Sequence, residues 1–321
     1  MDSVTQAALG AAIGGAIAPA GQRRKALLVG AALGTLPDLD VLVDYGDAVA
    51  NFTYHRGFSH SLFVLPPFAF LLWLALRRWW APVREAPSQW LAIIGLALIT
   101  HPLLDAHTAY GTQLLWPLTV PPTMWATLFI IDPLFTLPLL VGIVIVAIRP
   151  TRHSSATALR AGLALTTLYL GWSWTAQSIV AHHADEALAE RGLQGAPVFI
   201  TPTPFNTLLW RVVVQTEQGY LEGFDSLLVD EGSINFSAYT SDKRALLEAG
   251  NVWAVSRLRW FSRDFIRASV EDGRLLITDL RMGQEPIYVF THVAAARDNP
   301  RWEAIPTELI PVSVDERVLL D

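Results

Sequence analysis

Four short stretches of the 321-residue chain concentrate the side chains that can hold a cation or move a proton. They are Pro37-Asp38-Leu39-Asp40, then His55-Arg56-Gly57-Phe58-Ser59-His60, then His101-Pro102-Leu103-Leu104-Asp105 followed by His107, and finally Asp132-Pro133. There is no cysteine, so a metal ion would have to be held by His, Asp or Glu. Carboxylate with neutral imidazole suits zinc, manganese or iron(II). His101 and Asp105 are spaced i, i+4, which lets both point from one helix face at one ion.

Each piece also has an ordinary structural explanation. Pro-Asp-Leu-Asp reads equally as a helix stop and turn, because Asp favours both roles. His107 reads as an interfacial histidine bonded to a carbonyl or water, and Asp132 as the cap of a helix that begins at Pro133. His182 and His183 have no ligand partner beside them before residue 185, Asp44 and Asp47 sit in a polar loop, and His153 and His292 fall away from the set. Convergence favours the metal. Separate motifs fall on one expected side of the chain's apolar segments, and charge near hydrocarbon is costly without a partner, which a shared cation would supply.

The elements that must position these residues follow from composition. The chain is 52% hydrophobic and 16% charged, against about a quarter charged in an ordinary soluble protein, and it carries 12 tryptophans and a mean hydropathy of +0.36. This excludes a disordered chain and favours a membrane protein. Residues 1–184 carry a net charge of +2 and residues 185–321 a net charge of −8, so the composition changes near residue 184. Basic residues never cluster into a stripe that would fit nucleic acid.

Apolar helices are expected at 4–20, 26–36, 61–76, 89–104, 126–148 and 159–181, with the last two reaching the ~20 residues needed to cross a bilayer. Pro37 ends the second. Arg23, Arg24 and Lys25, then Arg77, Arg78 and Arg84, then Arg149, Arg152 and Arg160 occupy alternate connections, which the positive-inside tendency makes cytoplasmic. The N-terminus, residues 37–60 and 101–125, and everything after 182 then face outward. Trp79, Trp80, Trp90, Trp116, Trp125, Trp172 and Trp174 are expected as an interfacial belt.

Residues 185–195 read as a linker and 196–321 as an extracytoplasmic α+β domain, mainly antiparallel. Pro197 to Pro204 is expected to be extended. Strands are expected at 208–216, 220–229, 252–260, 265–271, 274–281 and 286–294, with Asp272-Gly273 as a two-residue hairpin turn. A short helix is expected between Ser241 and Gly250. The fold class is thus a polytopic transmembrane bundle of about five or six helices with a C-terminal α+β domain.

The ordered motifs resemble the bacterial inner-membrane, metal-dependent hydrolases of the YdjM type. The matching residues are Met1 to Gln6, Gly34 to Asp40, His55 to Ser61, His101 to Gly111 and Asp132-Pro133, so the resemblance covers residues 1 to about 140. It extends into the tail at Asp279 to Gly283 and Tyr288 to Phe290, which resemble a longer branch of the family. A more distant similarity links the order Asp, His, His-x-x-x-Asp to zinc-dependent phospholipase C and single-strand nuclease enzymes. That similarity implies Asp38 or Asp40, His55 or His60, His101 and Asp105 as ligands of the principal ion, zinc before manganese or iron. The amino-terminal His common in relatives is Gln6 here; with His107 and Asp132 it is a candidate for an outer shell or a second ion.

Catalysis at such a centre assigns two further roles. Asp40 would orient the attacking water, and Arg56 would bind an anionic substrate oxygen through its planar fork, or else pair with one of these aspartates or a lipid head group. The expected substrate is a phosphoester or lipid-linked compound at the outer face of the inner membrane, with membrane lipid as a partner. Two classes compete with the hydrolase. A metal-binding or transport protein would use the same ligands, although transporters place ionisable groups near mid-membrane. An anchor for an active C-terminal domain would not need the His and Asp set.

Overall fold

In the computed structural model, residues 1–229, 232–298 and 301–311 are described. Internal contacts divide the chain into two compact units. One comprises Met1–Leu42, Arg56–Ser178 and Pro202–Leu208, and the other Val43–His55, Ile179–Thr201 and the chain from Leu209 onward.

The N-terminal half of the chain forms eight helices: α1 (Ser3–Ile17), α2 (Arg23–Thr35), α3 (Ala48–Tyr54), α4 (Leu65–Trp79), α5 (Ala81–Glu85), α6 (Pro87–Asp105), α7 (Pro133–Ile148) and α8 (His153–Glu190). All but α3 contribute to the first unit, and α8 continues into the second. Local chemistry sets their starts. Asp2 caps α1 by accepting the Val4 and Thr5 amides, both at 3.0 Å, and Asp132 caps α7 by accepting the Phe135 amide at 3.1 Å. Proline occupies the first turn of α4, α5, α6 and α7, where its missing N–H costs nothing.

Helices α1 and α2 touch backbone to backbone through glycines. A Cβ on Gly10 would lie 2.1 Å from the Gly30 carbonyl oxygen, and one on Gly34 2.4 Å from that of Gln6. Only hydrogen at those positions permits the approach, the small-residue packing that brings membrane helices close. The core beside them includes Leu9, Ile13, Leu104, Leu128, Phe135, Leu139 and Leu159.

The helical unit keeps much apolar surface outside. Helix α4 buries only Leu65 and Ala69 and exposes Phe68, Phe70, Leu71 and Leu74, while α7 exposes Leu134, Leu137, Val141, Val144 and Ile148. Such a contiguous surface suits hydrocarbon better than water. By length and apolarity, α6 qualifies as a membrane span, and the bent pair Ala48–His60 with Leu65–Trp79 would give a second. Helices α1 and α7 are apolar but shorter.

Several sequence expectations are corrected here. Residues 126–132 do not join α7, because Trp125 and Leu128 donate their amides to the carbonyls of Ala106 and His107 instead. Trp90 is not interfacial: it is fully buried, and its indole donates to Gln22 at 2.7 Å. Helix α8 runs on to Glu190 through the first half of the stretch expected as a linker.

The basic connections meet at one end of the helical unit. Gln22 donates to Glu85, Arg23 to the carbonyls of Pro150 and Arg152, and Arg24 to that of Ala147.

The second unit is built of sheet and short helices. It contains β1 (Val198–Pro202), β2 (Leu209–Gln215), β3 (Gly219–Ser226), β4 (Phe236–Thr240), α9 (Lys243–Glu248), α10 (Trp253–Ser262), β5 (Ile266–Glu271), β6 (Arg274–Asp279), β7 (Gly283–Gln284), β8 (Ile287–Tyr288), β9 (Thr291–Asp298), β10 (Arg301–Glu303) and β11 (Glu308–Ile310). One sheet runs in the order β1-β2-β3-β4 and another β10-β9-β6-β5, with β11 also on β9. The β2–β3, β3–β4, β5–β6 and β6–β9 pairs are antiparallel. Asp272 and Gly273, both at positive φ, make the β5–β6 turn as expected. Residues 252–260, expected as a strand, form α10. Its Val and Trp content reads as strand, but the buried Ala254, Val255, Leu258 and Phe261 fall at helical spacing.

Candidate metal centre

The centre is assembled from three connections of the helical unit. Pro37 ends α2, and the chain continues as a 3-10 helix over Leu36–Leu42 that carries Asp38 and Asp40. Arg56 then adopts φ 59°, in the left-handed region, and Gly57 follows, so the chain reverses. The Asp40 carboxylate stabilises this reversal by accepting the Arg56 amide at 2.9 Å and the Ser59 hydroxyl at 2.6 Å. The reversal delivers His60, in the 3-10 turn Phe58–His60, to the last turn of α6, where His101 and Asp105 share a face.

Four ligand atoms converge. His60 Nε2 lies 3.1 Å from His101 Nε2, 3.2 Å from Asp105 Oδ2 and 3.4 Å from Asp38 Oδ1. His101 Nε2 lies 3.4 Å from both Asp38 Oδ1 and Asp105 Oδ2. Tetrahedral zinc with bonds of about 2.0–2.1 Å has ligand–ligand edges of roughly 3.3 Å. Five of the six separations lie close to that figure, and all four atoms lie within 4.8 Å of one another.

The hydrogen bonds behind the histidines fix which nitrogen faces inward. His101 Nδ1 donates to the Gly34 carbonyl at 2.5 Å. Because Ser59 donates its own hydrogen to Asp40, its oxygen accepts from His60 Nδ1 at 2.9 Å. Each ring thus turns Nε2 toward the other ring and toward two carboxylate oxygens, and in its neutral form that nitrogen could ligate a cation. Asp38 Oδ1 is buried and has no hydrogen-bond donor. These four residues can hold a divalent cation.

Other expected site residues surround the four or lie apart from them. Arg56, 5% exposed, sets Nε 3.3 Å from Asp105 Oδ2, donates from Nη1 to Thr108 Oγ1 at 3.4 Å, and lies over the Tyr110 ring. Gln6 donates from Nε2 to Asp105 Oδ1 at 2.9 Å and to the His101 carbonyl at 3.1 Å. The Met1 nitrogen also donates to Asp105 Oδ1. Asp40 is engaged with the Arg56 amide and Ser59, so its carboxylate supports the loop and, through Ser59, the His60 ring.

His55 caps the end of α3 and is not among the four converging residues. His107 accepts or donates at Nδ1 to Thr127 Oγ1 at 2.7 Å and packs against Trp125 and Trp174; burial pushes its pKa down to about 4. Asp132 caps α7 and accepts the Tyr169 hydroxyl at 2.9 Å. Of the alternatives left open by the sequence, Asp38 and His60 supply the inward atoms. Gly34 and Ser59 were not singled out. Their signal is their place inside the Gly-x-Leu-Pro-Asp-Leu-Asp and His-Arg-Gly-Phe-Ser-His motifs.

Comparison with known proteins agrees with the motif reading. The inner membrane protein YbcI of Escherichia coli (strain K12) is 38% identical over 97 residues, covering 28% of this chain and 53% of that protein. The chain thus spans about half the length of this curated relative. No solved structure matches. The profile of the YdjM inner membrane protein family matches residues 1–180, more than half of the sequence, and the chain belongs to that family.

Proposed function

We propose that this chain is a membrane-bound, metal-dependent hydrolase that acts on a phosphoester or lipid-linked substrate at the outer face of the inner membrane. The observation that carries the reading is the convergence of two imidazole nitrogens and two carboxylate oxygens at separations of 3.1–3.4 Å. Zinc is the ion whose bond lengths and geometry fit best. When bound, it supplies Lewis acidity to a substrate oxygen and to water.

The protein's own groups take the remaining roles. Arg56 presents a guanidinium beside Asp105 and binds an anionic oxygen of the substrate. Asp40 positions Arg56 and His60 through Oδ2, which accepts the Arg56 N–H and the Ser59 hydroxyl. Access is from the Asp38 side: its side chain is 20% exposed, whereas those of His60, His101 and Asp105 are fully buried. A groove of about 370 Å³ in the same unit, lined by Leu9, Ile13, Leu103, Phe135, Leu163 and Leu170 among others, is apolar enough for an acyl chain and supports a lipid-linked substrate. The outward orientation rests on the basic connections gathering at one end of the unit.

One observation favours a second reading, metal binding or transport without hydrolysis. The protein offers four ligand atoms here, and catalytic zinc ordinarily has three protein ligands and one open position. The experiment is elemental analysis of detergent-purified wild type, His101→Ala and Asp105→Ala, with hydrolysis of a generic phosphodiester measured on each. Zinc and turnover in the wild type, both lost in the variants, are expected. Bound zinc without turnover across diverse esters selects the second reading, and equal metal content in all three proteins removes the site.

A further inference from the structure

Only one oxygen of Asp105 points into the tetrahedron. Oδ2 faces the two histidine nitrogens, while Oδ1 accepts from both the Gln6 amide and the Met1 nitrogen. Gln6 is 1% exposed, and its Nε2 donates at once to Asp105 Oδ1 and to the carbonyl of His101, one helical turn earlier. The reversed amide would set Oε1 against a carboxylate and a carbonyl, so the orientation is fixed. Oε1 itself is buried with no donor, which marks a side chain held for what its nitrogen does. Gly34 holds it there: its missing Cβ admits the Gln6 backbone, and its carbonyl orients His101.

We infer that Gln6, together with the Met1 nitrogen, holds Asp105 in the position that restricts this centre to a single ion. The inference rests on the metal-binding reading above. A carboxylate that chelates one cation, or spans two with an oxygen on each, needs both oxygens free, and two N–H donors on Oδ1 oppose either. Two-ion centres need such a shared ligand between ions about 3.5–4 Å apart. Neither of the other acid and imidazole candidates reaches the place: Asp132 caps α7 and His107 bonds Thr127. Holding Asp105 to one oxygen also disfavours calcium, which takes bidentate carboxylates and six to eight oxygens, and favours four-coordinate zinc.

The test uses the full chain in detergent, as wild type, Gln6→Ala and Gln6→Glu, with helicity checked by circular dichroism. Zinc is titrated calorimetrically and counted by elemental analysis, and cobalt(II) is substituted to read coordination from its visible absorption. The wild type is expected to bind one zinc per chain and to give the intense cobalt bands of a tetrahedral site. Gln6→Ala should weaken binding by about 10–100-fold, as losses behind a ligand do, and dim those bands as Asp105 loses one of the two donors that fix it. Gln6→Glu, which puts a carboxylate oxygen where the donor was, should bind a second zinc. Two ions in the wild type, or wild-type affinity, spectrum and single-ion stoichiometry in both variants, would overturn the inference. A wild type that binds no zinc refutes the metal-binding reading instead. Should Gln6→Glu fail to fold, Gln6→Ala decides alone.

Discussion

Both units bury charge, and they do so in opposite ways. In the second unit every member of the buried set has a protein counterpart. Arg211 sets Nε 2.5 Å from Glu222 and donates to the Leu280 carbonyl and the Tyr288 hydroxyl. Glu285 pairs with Arg267 at 2.8 Å and accepts from Tyr220, and Arg281 forks onto Asp279. Burial keeps the phenols protonated, pushing Tyr288 up to about 12. Donors match acceptors, so this cluster is complete as protein. In the helical unit, two imidazole nitrogens and two carboxylate oxygens converge, with Arg56 and the Met1 nitrogen beside Asp105. Removing charge from water is tolerated when the partner is built in, as in the first case. In the second case the geometry is that of a cluster completed by a cation.

The contrast can be broken from either side. Arg211→Ala should destabilise the second unit by about 3–5 kcal/mol, because it strands the buried Glu222 carboxylate, and should leave zinc content unchanged; denaturant unfolding and elemental analysis check both. Chelation should do the reverse. At a zinc concentration about a thousandfold above Kd, its removal should cost the helical unit about 4 kcal/mol, read as a fall in one thermal transition only.

His292 sharpens the comparison with pH. Burial pushes it down to about 4 from 6.5, so it is neutral in the folded unit and gains a proton on unfolding. Its contribution is fully present above pH 6.5 and is lost as pH falls from there to about 4, amounting to at most about 3 kcal/mol. In His292→Leu that loss should disappear from the pH dependence of unfolding, while zinc binding is unaffected. The smallest effect is expected for Gly34→Ala. Its methyl would meet the Gln6 carbonyl at 2.4 Å, and the forced shift should cost about 1–3 kcal/mol and weaken zinc binding measurably by calorimetry. Retention of wild-type affinity would show that α1 need not sit so close to α2.

Much of this was legible along the chain because the signals are local. Apolar runs, first-turn prolines and capping aspartates mark α1, α2, α6 and α7, and Asp272-Gly273 marks a hairpin, since each depends on neighbours within a few residues. The i, i+4 spacing put His101 and Asp105 on one face for the same reason. Where local chemistry was ambiguous, the reading failed: residues 252–260 have the composition of a strand, and only their packing against the sheet core selects α10. The residue types of the metal centre were determined by the sequence alone. Which aspartate of Asp38 and Asp40 and which histidine of His55 and His60 turn inward was decided by the tertiary structure. That choice depends on Arg56 reversing the chain at positive φ, Asp40 being consumed in holding that turn, and two glycine-faced helices bringing Gln6 and the Gly34 carbonyl to α6. These are contacts between residues tens of positions apart, and spacing along a chain carries no record of them.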